Sequence, residues 1–287
     1  MVRREYKRER AQRYHRRRRG MKPLSAFPHA ERQTIRGVFT DIDDTLTTDG
    51  RLGAEAYTAM EKLQALGLAV VPITGRPAGW CDHIARMWPV DGVVGENGAF
   101  YFCYDREKRR MNRRYIDGGE QRAANRERLA TLGQHIIKQV PGAGISSDQQ
   151  YRETDLAIDI CEDVDPLPMS SVDRIVALLD EAGATAKVSS IHVNAWYGTY
   201  DKLTMTKHFA ADCLGVNLDD VESNFIFTGD SPNDAPMFAF FSRAVGVANV
   251  RDFEKYLKVT PAYVTEKRGG AGFSELAALL INAHDGL

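Results

Sequence analysis

Val38-Phe39-Thr40-Asp41-Ile42-Asp43-Asp44-Thr45-Leu46-Thr47 reads as an apolar strand that ends in three carboxylates and two hydroxyl groups. Residues i and i+2 of a strand share a face, so we expect Asp41 and Asp43 to point the same way and Asp44 to point away. Two carboxylates this close repel, and a hard divalent cation such as Mg²⁺ would relieve that repulsion. The pair suits one carboxylate that attacks or binds metal and a second that acts as general acid and base. Taken alone, the motif also fits an Asp-rich turn or helix N-cap.

The overall composition is that of an ordinary globular protein. The chain has 287 residues, of which 43% are hydrophobic and 27% charged, enough for one large domain or two smaller ones. The pattern shows no bilayer-spanning apolar run and no signal peptide. The scattered cysteines Cys81, Cys103, Cys161 and Cys213 lack metal-ligand spacing. This spacing argues against zinc and favours reduced thiols in a cytoplasmic protein.

Residues 1–20 form a strongly basic tail. They hold 10 Lys+Arg against 2 Asp+Glu, whereas the rest of the chain has a net charge of −9. Few of these residues are apolar, so we expect a disordered tail. The run Arg16-Arg17-Arg18-Arg19 would suit weak contact with nucleic acid or another polyanion. A solvated tail without function, or translation that starts at Met21, explains the same residues.

Strand and helix patterns alternate near the start of the chain and again near its end. Predicted strands cover residues 35–40, 68–73, 91–94 and 224–228, and predicted helices cover 52–66, the residues after Pro77, 203–214 and 271–283. This alternation predicts an α/β fold, a Rossmann-like core with a parallel sheet.

The middle of the chain follows a different pattern. It predicts a hairpin within 101–116, a helix over 123–140, a strand over 156–160, a helix over 172–182 and a strand over 186–196. We therefore predict a core domain formed by residues 30–104 and 197–287, with an α+β domain inserted at 105–196 and the tail at 1–20.

Polar clusters end three of the predicted strands. They are Asp41-Ile42-Asp43, Thr74-Gly75-Arg76 and Gly229-Asp230-Ser231-Pro232-Asn233-Asp234. Ligands of open parallel sheets bind beyond the carboxyl ends of the strands, so we expect the three clusters to converge. Each cluster alone fits a turn or a helix cap, but their order, each closing an apolar strand, favours one active site.

Over about residues 34–280 the chain resembles haloacid dehalogenase (HAD) superfamily phosphatases of the Cof-like, type IIB branch, which carry a C2 cap. Matches to the family motifs are Asp41-Ile42-Asp43-Asp44-Thr45, Ile73-Thr74-Gly75-Arg76-Pro77, Lys202, Gly229-Asp230-Ser231-Pro232-Asn233-Asp234, and the turn Asn97-Gly98-Ala99 before the cap. Leu203 follows Lys202 where relatives usually have Gly, so Lys207 remains a rival for the motif lysine.

The resemblance implies a mechanism through an aspartyl-phosphate. Asp41 would be the nucleophile and Asp43 the general acid and base. Thr74 and Lys202 would contact the phosphoryl group, and Mg²⁺ would be held by Asp41, the Asp43 carbonyl and Asp230, with Asp234 beside them. The predicted metal residues are thus Asp41, Asp43, Asp230 and Asp234. The predicted substrate residues are Thr74, Gly75, Arg76, Asn97, Arg152, Asn194, Lys202 and Asn233.

The inserted domain is expected to select the substrate. Arg152 would bind a second anionic group and Asn194 a hydroxyl, although surface positions on an α+β sheet explain either residue as well. The family implies a sugar phosphate, a polyol phosphate or a phosphorylated vitamin precursor. We predict a Mg²⁺-dependent phosphatase. A phosphosugar mutase or phosphotransferase, and a non-catalytic module tethered to nucleic acid by the tail, are the alternatives.

Overall fold

A computed structural model describes residues 20–189 and 191–284; the predicted basic tail, up to residue 19, lies outside the described residues. In chain order the strands are β1 (Lys22–Pro23), β2 (Gly37–Thr40), β3 (Thr47–Thr48), β4 (Arg51–Leu52), β5 (Ala69–Pro72), β6 (Val93–Gly95), β7 (Phe100–Asp105), β8 (Arg110–Tyr115), β9 (Gly144–Ile145), β10 (Leu156–Asp159), β11 (Thr185–Val188), β12 (His192–Trp196), β13 (Phe225–Gly229), β14 (Val245–Gly246) and β15 (Tyr263–Val264). The α-helices are α1 (His29–Arg32), α2 (Ala54–Ala65), α3 (Ala78–Met87), α4 (Gly119–Gln139), α5 (Met169–Glu181), α6 (Lys202–Leu214), α7 (Leu218–Val221), α8 (Ala235–Phe240) and α9 (Gly269–His284).

The described residues divide into two compact units. The first contains 20–72, 89–91 and 215–284, and the second contains 73–88, 92–189 and 191–214. The predicted division into a core of 30–104 and 197–287 and an insertion of 105–196 follows the sequence pattern and stays a prediction.

The first unit is built on a parallel sheet. Its strand order is β1-β15-β14-β13-β2-β5, and every pair of neighbours is parallel. All residues of β2 and β13 are buried, as expected for strands covered on both faces. Helices α2 and α9 pack together. The predicted α/β fold with a parallel sheet is confirmed.

The second unit contains antiparallel sheets. Strands β6, β7 and β8 form one, and the order β11-β12-β10-β9 forms the other. On the four-stranded sheet, Ile158 and Val193 face an apolar core shared with Ile136 of α4 and Ile175 of α5. The alternate positions carry the buried polar side chains of Asp159, His192 and Asn194. Alternation therefore separates an apolar face from a polar face.

Two predicted strands differ from the structure. The strand predicted over 186–196 is two antiparallel strands, β11 and β12, because Ser189 reverses the chain: its hydroxyl donates to the His192 carbonyl, and its backbone N–H donates to the same oxygen. The strand predicted over 91–94 is β6, which pairs antiparallel with β7 through the tight turn at 96–98 and makes only one parallel bridge, Ile73 with Val94, among the described residues.

Candidate active site

Three carboxylates meet beyond the carboxyl ends of β2 and β13. These strands are paired in register, Thr40 with Thr228, so Asp41 and Asp230 follow neighbouring strand ends. The backbone N–H of Asp41 donates to the Thr228 carbonyl at 2.9 Å, which holds the first aspartate beside β13. Ligand oxygens of Asp41, Asp230 and Asp234 all lie within 4.8 Å of one another, and all three residues are buried. Buried like charges at this separation favour a bound cation.

The segment after β13 is folded around the Asp234 carboxylate. Its Oδ2 accepts hydrogen bonds from the backbone N–H of Asp230 at 3.1 Å and of Ser231 at 3.4 Å. Ser231 and Asp234 form a reciprocal capping box at the short helical turn Pro232–Asp234. A side chain at Gly229 would overlap this carboxylate, so glycine is required there. Asn233 is half-buried, and its Oδ1 accepts a bond from the Ser231 hydroxyl at 2.8 Å.

Asn249 is a site residue that sequence reasoning missed. Its Nδ2 lies within hydrogen-bonding distance of Asp230 Oδ2 (3.1 Å) and of the Asp44 carbonyl (2.9 Å), and its Oδ1 accepts from the Gly269 N–H. The residue is buried in the turn that follows β14, the next strand of the sheet. Its position just beyond a parallel strand end was the available signal.

The acidic motif does not continue as a strand. Strand β2 ends at Thr40, and the Ile42 carbonyl accepts bonds from the N–H groups of Thr45, Leu46 and Thr47. Asp44 has a φ of 56°, a left-handed conformation. The i and i+2 argument used for Asp41 and Asp43 is therefore wrong beyond Thr40, because Asp43 lies in a turn. Asp43 is half-buried.

The 74–76 loop, Thr74-Gly75-Arg76, belongs to the second unit. Thr74 is fully buried; its N–H donates to the Val94 carbonyl at 2.9 Å, and its Oγ1 accepts from the Arg76 N–H at 3.0 Å. The Asn97 N–H donates to the Thr74 carbonyl at 3.0 Å. A Cβ at Gly75 would lie 3.2 Å from Asn97 Nδ2, so the amide of Asn97 rests against this loop. That Nδ2 is buried and has no hydrogen-bond partner among the described residues.

Lys202 is the first residue of α6 and is buried. The preceding Asp201 carbonyl packs on Gly98, where a Cβ would overlap it. The start of α6 is thus held against the turn that carries Asn97. Lys207, the rival lysine, lies further along α6 and is half-buried.

Three predicted substrate residues take part in one polar network of the second unit. Arg76 Nη1 lies 3.0 Å from Glu162 Oε1, and its guanidinium covers the Trp80 ring at 4.6 Å. The Arg152 side chain is fully buried between Asp148 and Asp155. Asn194 Nδ2 donates to Asp155 Oδ2 at 3.1 Å. These side chains all have protein partners, and their predicted contacts with substrate stay predictions.

Glu96, also missed, is a fully buried carboxylate in the same network. Burial and repulsion from Asp155 raise the pKa of Glu96 to about 7. The hydrogen bond from Thr154 acts in the opposite direction and lowers this pKa, but its effect is smaller. A glutamate beside the Asn97-Gly98 turn gives no sequence signal of this kind, because its partners are distant along the chain.

Known proteins resemble this chain in sequence and in fold. Residues 38–128 match the family model described as haloacid dehalogenase-like hydrolase. A phosphoglycolate phosphatase of Methanospirillum hungatei is 28% identical over 84% of this chain and 95% of its own, and one of Haloarcula marismortui is 29% identical with the same coverage. The C-terminal domain of C. albicans trehalose-6-phosphate phosphatase has the same fold, with a TM-score of 0.68, 13% identity and coverage of 91% of this chain and 98% of that one.

Residues 38–128 thus match a HAD-like hydrolase, and the curated relatives over most of the chain are phosphatases. The predicted resemblance to HAD phosphatases is therefore confirmed, and with it the prediction of a phosphatase. Among the described residues of this protein no helix is both long and apolar enough to cross a membrane.

Proposed function

We propose that this protein is a Mg²⁺-dependent phosphatase that hydrolyses a small phosphorylated metabolite through an aspartyl-phosphate on Asp41. The observation that carries the proposal is the buried cluster of Asp41, Asp230 and Asp234. An all-oxygen set of carboxylates suits Mg²⁺, and buried carboxylates this close are stabilised by a divalent charge. Asn249 holds Asp230 in orientation for this role.

The roles of the side chains follow from the family motifs. An Asp41 carboxylate oxygen forms a bond to phosphorus while the bond from phosphorus to the leaving oxygen breaks, and Asp43 gives that oxygen a proton. Asp43 then takes a proton from the water that attacks phosphorus, which releases inorganic phosphate and restores Asp41. Bound Mg²⁺ supplies positive charge that lowers the cost of the negative charge developed at the phosphoryl oxygens.

The other motif residues bind rather than react. Thr74 and Lys202 are proposed to contact phosphoryl oxygens. Such contacts stabilise the charge of the transition state, which is the main catalytic effect in phosphoryl transfer. Gly75, Asn97 and Asn233 are proposed to line the substrate position. Asp234 is proposed to hold the metal site in place, because its carboxylate accepts hydrogen bonds from the backbone N–H groups of Asp230 and Ser231.

The substrate class is a small phosphate monoester. The curated relatives are phosphoglycolate phosphatases, so a phosphorylated two-carbon acid joins the sugar and polyol phosphates as a proposed substrate. Among the described residues no cysteine forms a disulfide, which agrees with the proposed location in the cytoplasm.

The test is phosphate release from a panel of phosphorylated acids, sugars and polyols, with and without Mg²⁺. Excess chelator should abolish release and added Mg²⁺ should restore it.

Asp41→Asn should lower kcat by several orders of magnitude while the far-UV circular dichroism stays unchanged, and Asp230→Ala should greatly raise the Mg²⁺ concentration needed for half-maximal rate. Asp180→Asn, at an exposed position of α5, is the matched control. Full activity in chelator, or near-normal turnover by Asp41→Asn, would refute the proposal.

A further inference from the structure

The three backbone carbonyls of the 74–76 loop are all held by residues far from it in sequence. The Thr74 carbonyl accepts from the Asn97 N–H, and the Arg76 carbonyl accepts from the Glu96 N–H at 3.2 Å. The Gly75 carbonyl accepts from Arg152 Nη1 at 2.9 Å. The position of this loop is therefore set by the 96–97 turn and by one buried arginine.

Most of the hydrogen-bond donors of Arg152 are occupied by protein groups. Its Nε and Nη2 donate to the two oxygens of Asp148, at 3.0 and 3.2 Å. Its Nη1 donates to Asp155 Oδ1 at 3.0 Å as well as to the Gly75 carbonyl. The side chain has no exposed surface. A guanidinium has five N–H groups, so these contacts use all but one of them. A planar fork held in this way is rigid and cannot swing toward a ligand.

Glu96 joins the segment that carries Arg152 to the helix that follows the loop. Its Oε1 accepts from the N–H groups of Ala78, at the start of α3, and Glu153, both at 2.9 Å. Its Oε2 accepts from the N–H groups of Thr154 at 2.7 Å and Asp155 at 3.2 Å, and from the Thr154 hydroxyl. One carboxylate therefore ties residues 153–155 to the first turn of α3.

The backbone at Glu96 supports a specific role for this side chain. Its φ is 42°, and that of Asn97 is 56°, so two consecutive residues other than glycine have left-handed conformations. Such strain persists where the surroundings fix it, and it concentrates at functional sites. Here the five hydrogen bonds to the Glu96 carboxylate fix the 96–97 turn. The backbone N–H groups of this turn then donate to the 74–76 loop.

We propose that Glu96 and Arg152 are positioning residues for the 74–76 loop, which they hold in the geometry that phosphate binding requires. The inference rests on the proposed function, which assigns phosphoryl contacts to Thr74. It replaces direct binding of a substrate anion by Arg152 with an indirect role: the guanidinium acts on the reaction through the Gly75 carbonyl.

The first experiment compares wild type, Glu96→Gln and Arg152→Lys by steady-state kinetics. It uses the best metabolite of the panel and p-nitrophenyl phosphate, which shares only the phosphoryl group. A glutamine places an NH₂ group against N–H donors, and a lysine cannot span Asp148, Asp155 and Gly75 together. Because a small misplacement of a binding group costs up to about 100-fold, we expect kcat/KM to fall roughly 10- to 100-fold, equally on both substrates. The inhibition constant of inorganic phosphate should rise in parallel.

Hydrogen exchange of the peptide that covers residues 73–79 supplies a readout independent of turnover. We expect faster exchange there in both variants and unchanged exchange in α5. Half-saturating Mg²⁺ should stay within about twofold of wild type, since the bonds of Asn249 and Asp234 to the aspartate cluster are retained. The matched control is Arg86→Lys. Arg86 pairs with Asp82 at 2.7 Å, away from the contacts that hold the loop. Thr154→Val, which removes one donor to Glu96, should give a smaller change in the same direction if Glu96→Gln fails to fold.

The outcomes separate the two proposals. A loss confined to the metabolite, with exchange of 73–79 unchanged, would make Arg152 a direct substrate contact and overturn the inference. Normal kinetics and exchange in both variants would overturn it as well. If the wild type releases no phosphate from any substrate, the proposed function fails, while the exchange data still show whether Glu96 and Arg152 hold the loop.

Discussion

Glu162 shows how one carboxylate connects two parts of the polar network. Its Oε1 lies 3.0 Å from Arg76 Nη1, and its Oε2 lies 2.9 Å from His192 Nε2. The His192 ring and the Arg76 guanidinium lower the pKa of Glu162 to about 2, although partial burial opposes them. An acid whose pKa is lower in the folded state stabilises the fold above its unfolded pKa, and this contribution is lost as the pH falls toward the folded value.

Glu162→Gln should therefore destabilise the protein in a pH-dependent way. We expect the free energy of unfolding to fall by about 1 kcal/mol at pH 7, a modest value because the side chain is partly exposed to solvent. The difference from wild type should shrink between pH 4.5 and pH 2, the range set by the ordinary and lowered pKa. Urea denaturation at pH 7, 5 and 3 measures it. An equal difference at pH 3 and pH 7 would contradict the assigned cause.

At the scale of elements, the tight turn between β6 and β7 packs closely against the start of α6. Gly98 has a φ of 103°, and a Cβ there would overlap the backbone carbonyl of Asp201. A backbone atom cannot rotate away as a side chain can. The turn and the start of α6 are thus packed at their closest approach, which only glycine permits.

Gly98→Ala should consequently destabilise the fold by about 3 kcal/mol, the sum of an unfavourable left-handed conformation and a backbone overlap. It should also lower kcat, because Lys202 follows Asp201 directly. Chemical denaturation and initial rates measure the two effects. The control is Gly119→Ala: Gly119 begins α4 with no atom near its Cβ position, and alanine should be neutral or slightly stabilising there. Similar stability for both variants would show that the turn tolerates a side chain.

At the scale of the whole molecule, charge divides between the basic first twenty residues and the acidic remainder. The net charge of the chain is −1, with +8 at residues 1–20. The family motifs all lie after residue 34, and the family-model match begins at residue 38. The tail therefore has no assigned part in phosphate chemistry.

Deletion of residues 1–20 should leave kcat/KM on small phosphate esters unchanged within about twofold, because no residue of the predicted active site lies in this segment. If the tail binds polyanions, retention on heparin should disappear with the deletion and, in the full chain, fall steeply with salt. Rates and heparin elution at several salt concentrations test both statements. A large fall in turnover would instead show that the tail belongs to the fold or the active site.

The sequence by itself determined the parallel sheet, the family resemblance and the acidic motifs. These are local properties: buried parallel strands are apolar runs, and Asp41 and Asp230 directly follow β2 and β13. Their convergence required only that the two strands be neighbours, as parallel α/β order makes common. The break between β11 and β12 at Ser189 was less accessible, because the two serines at 189–190 do not by themselves show that the chain reverses there.

Only the tertiary structure decided which polar side chains hold one another. Asn249 on Asp230, Glu96 on residues 153–155 and Arg152 on the Gly75 carbonyl are contacts between segments distant in the chain. Arg152 looks the same in the sequence whether it faces a substrate or two aspartates. Its partners depend on the packing of distant elements, and burial then selects the pairing that leaves no charge unsatisfied.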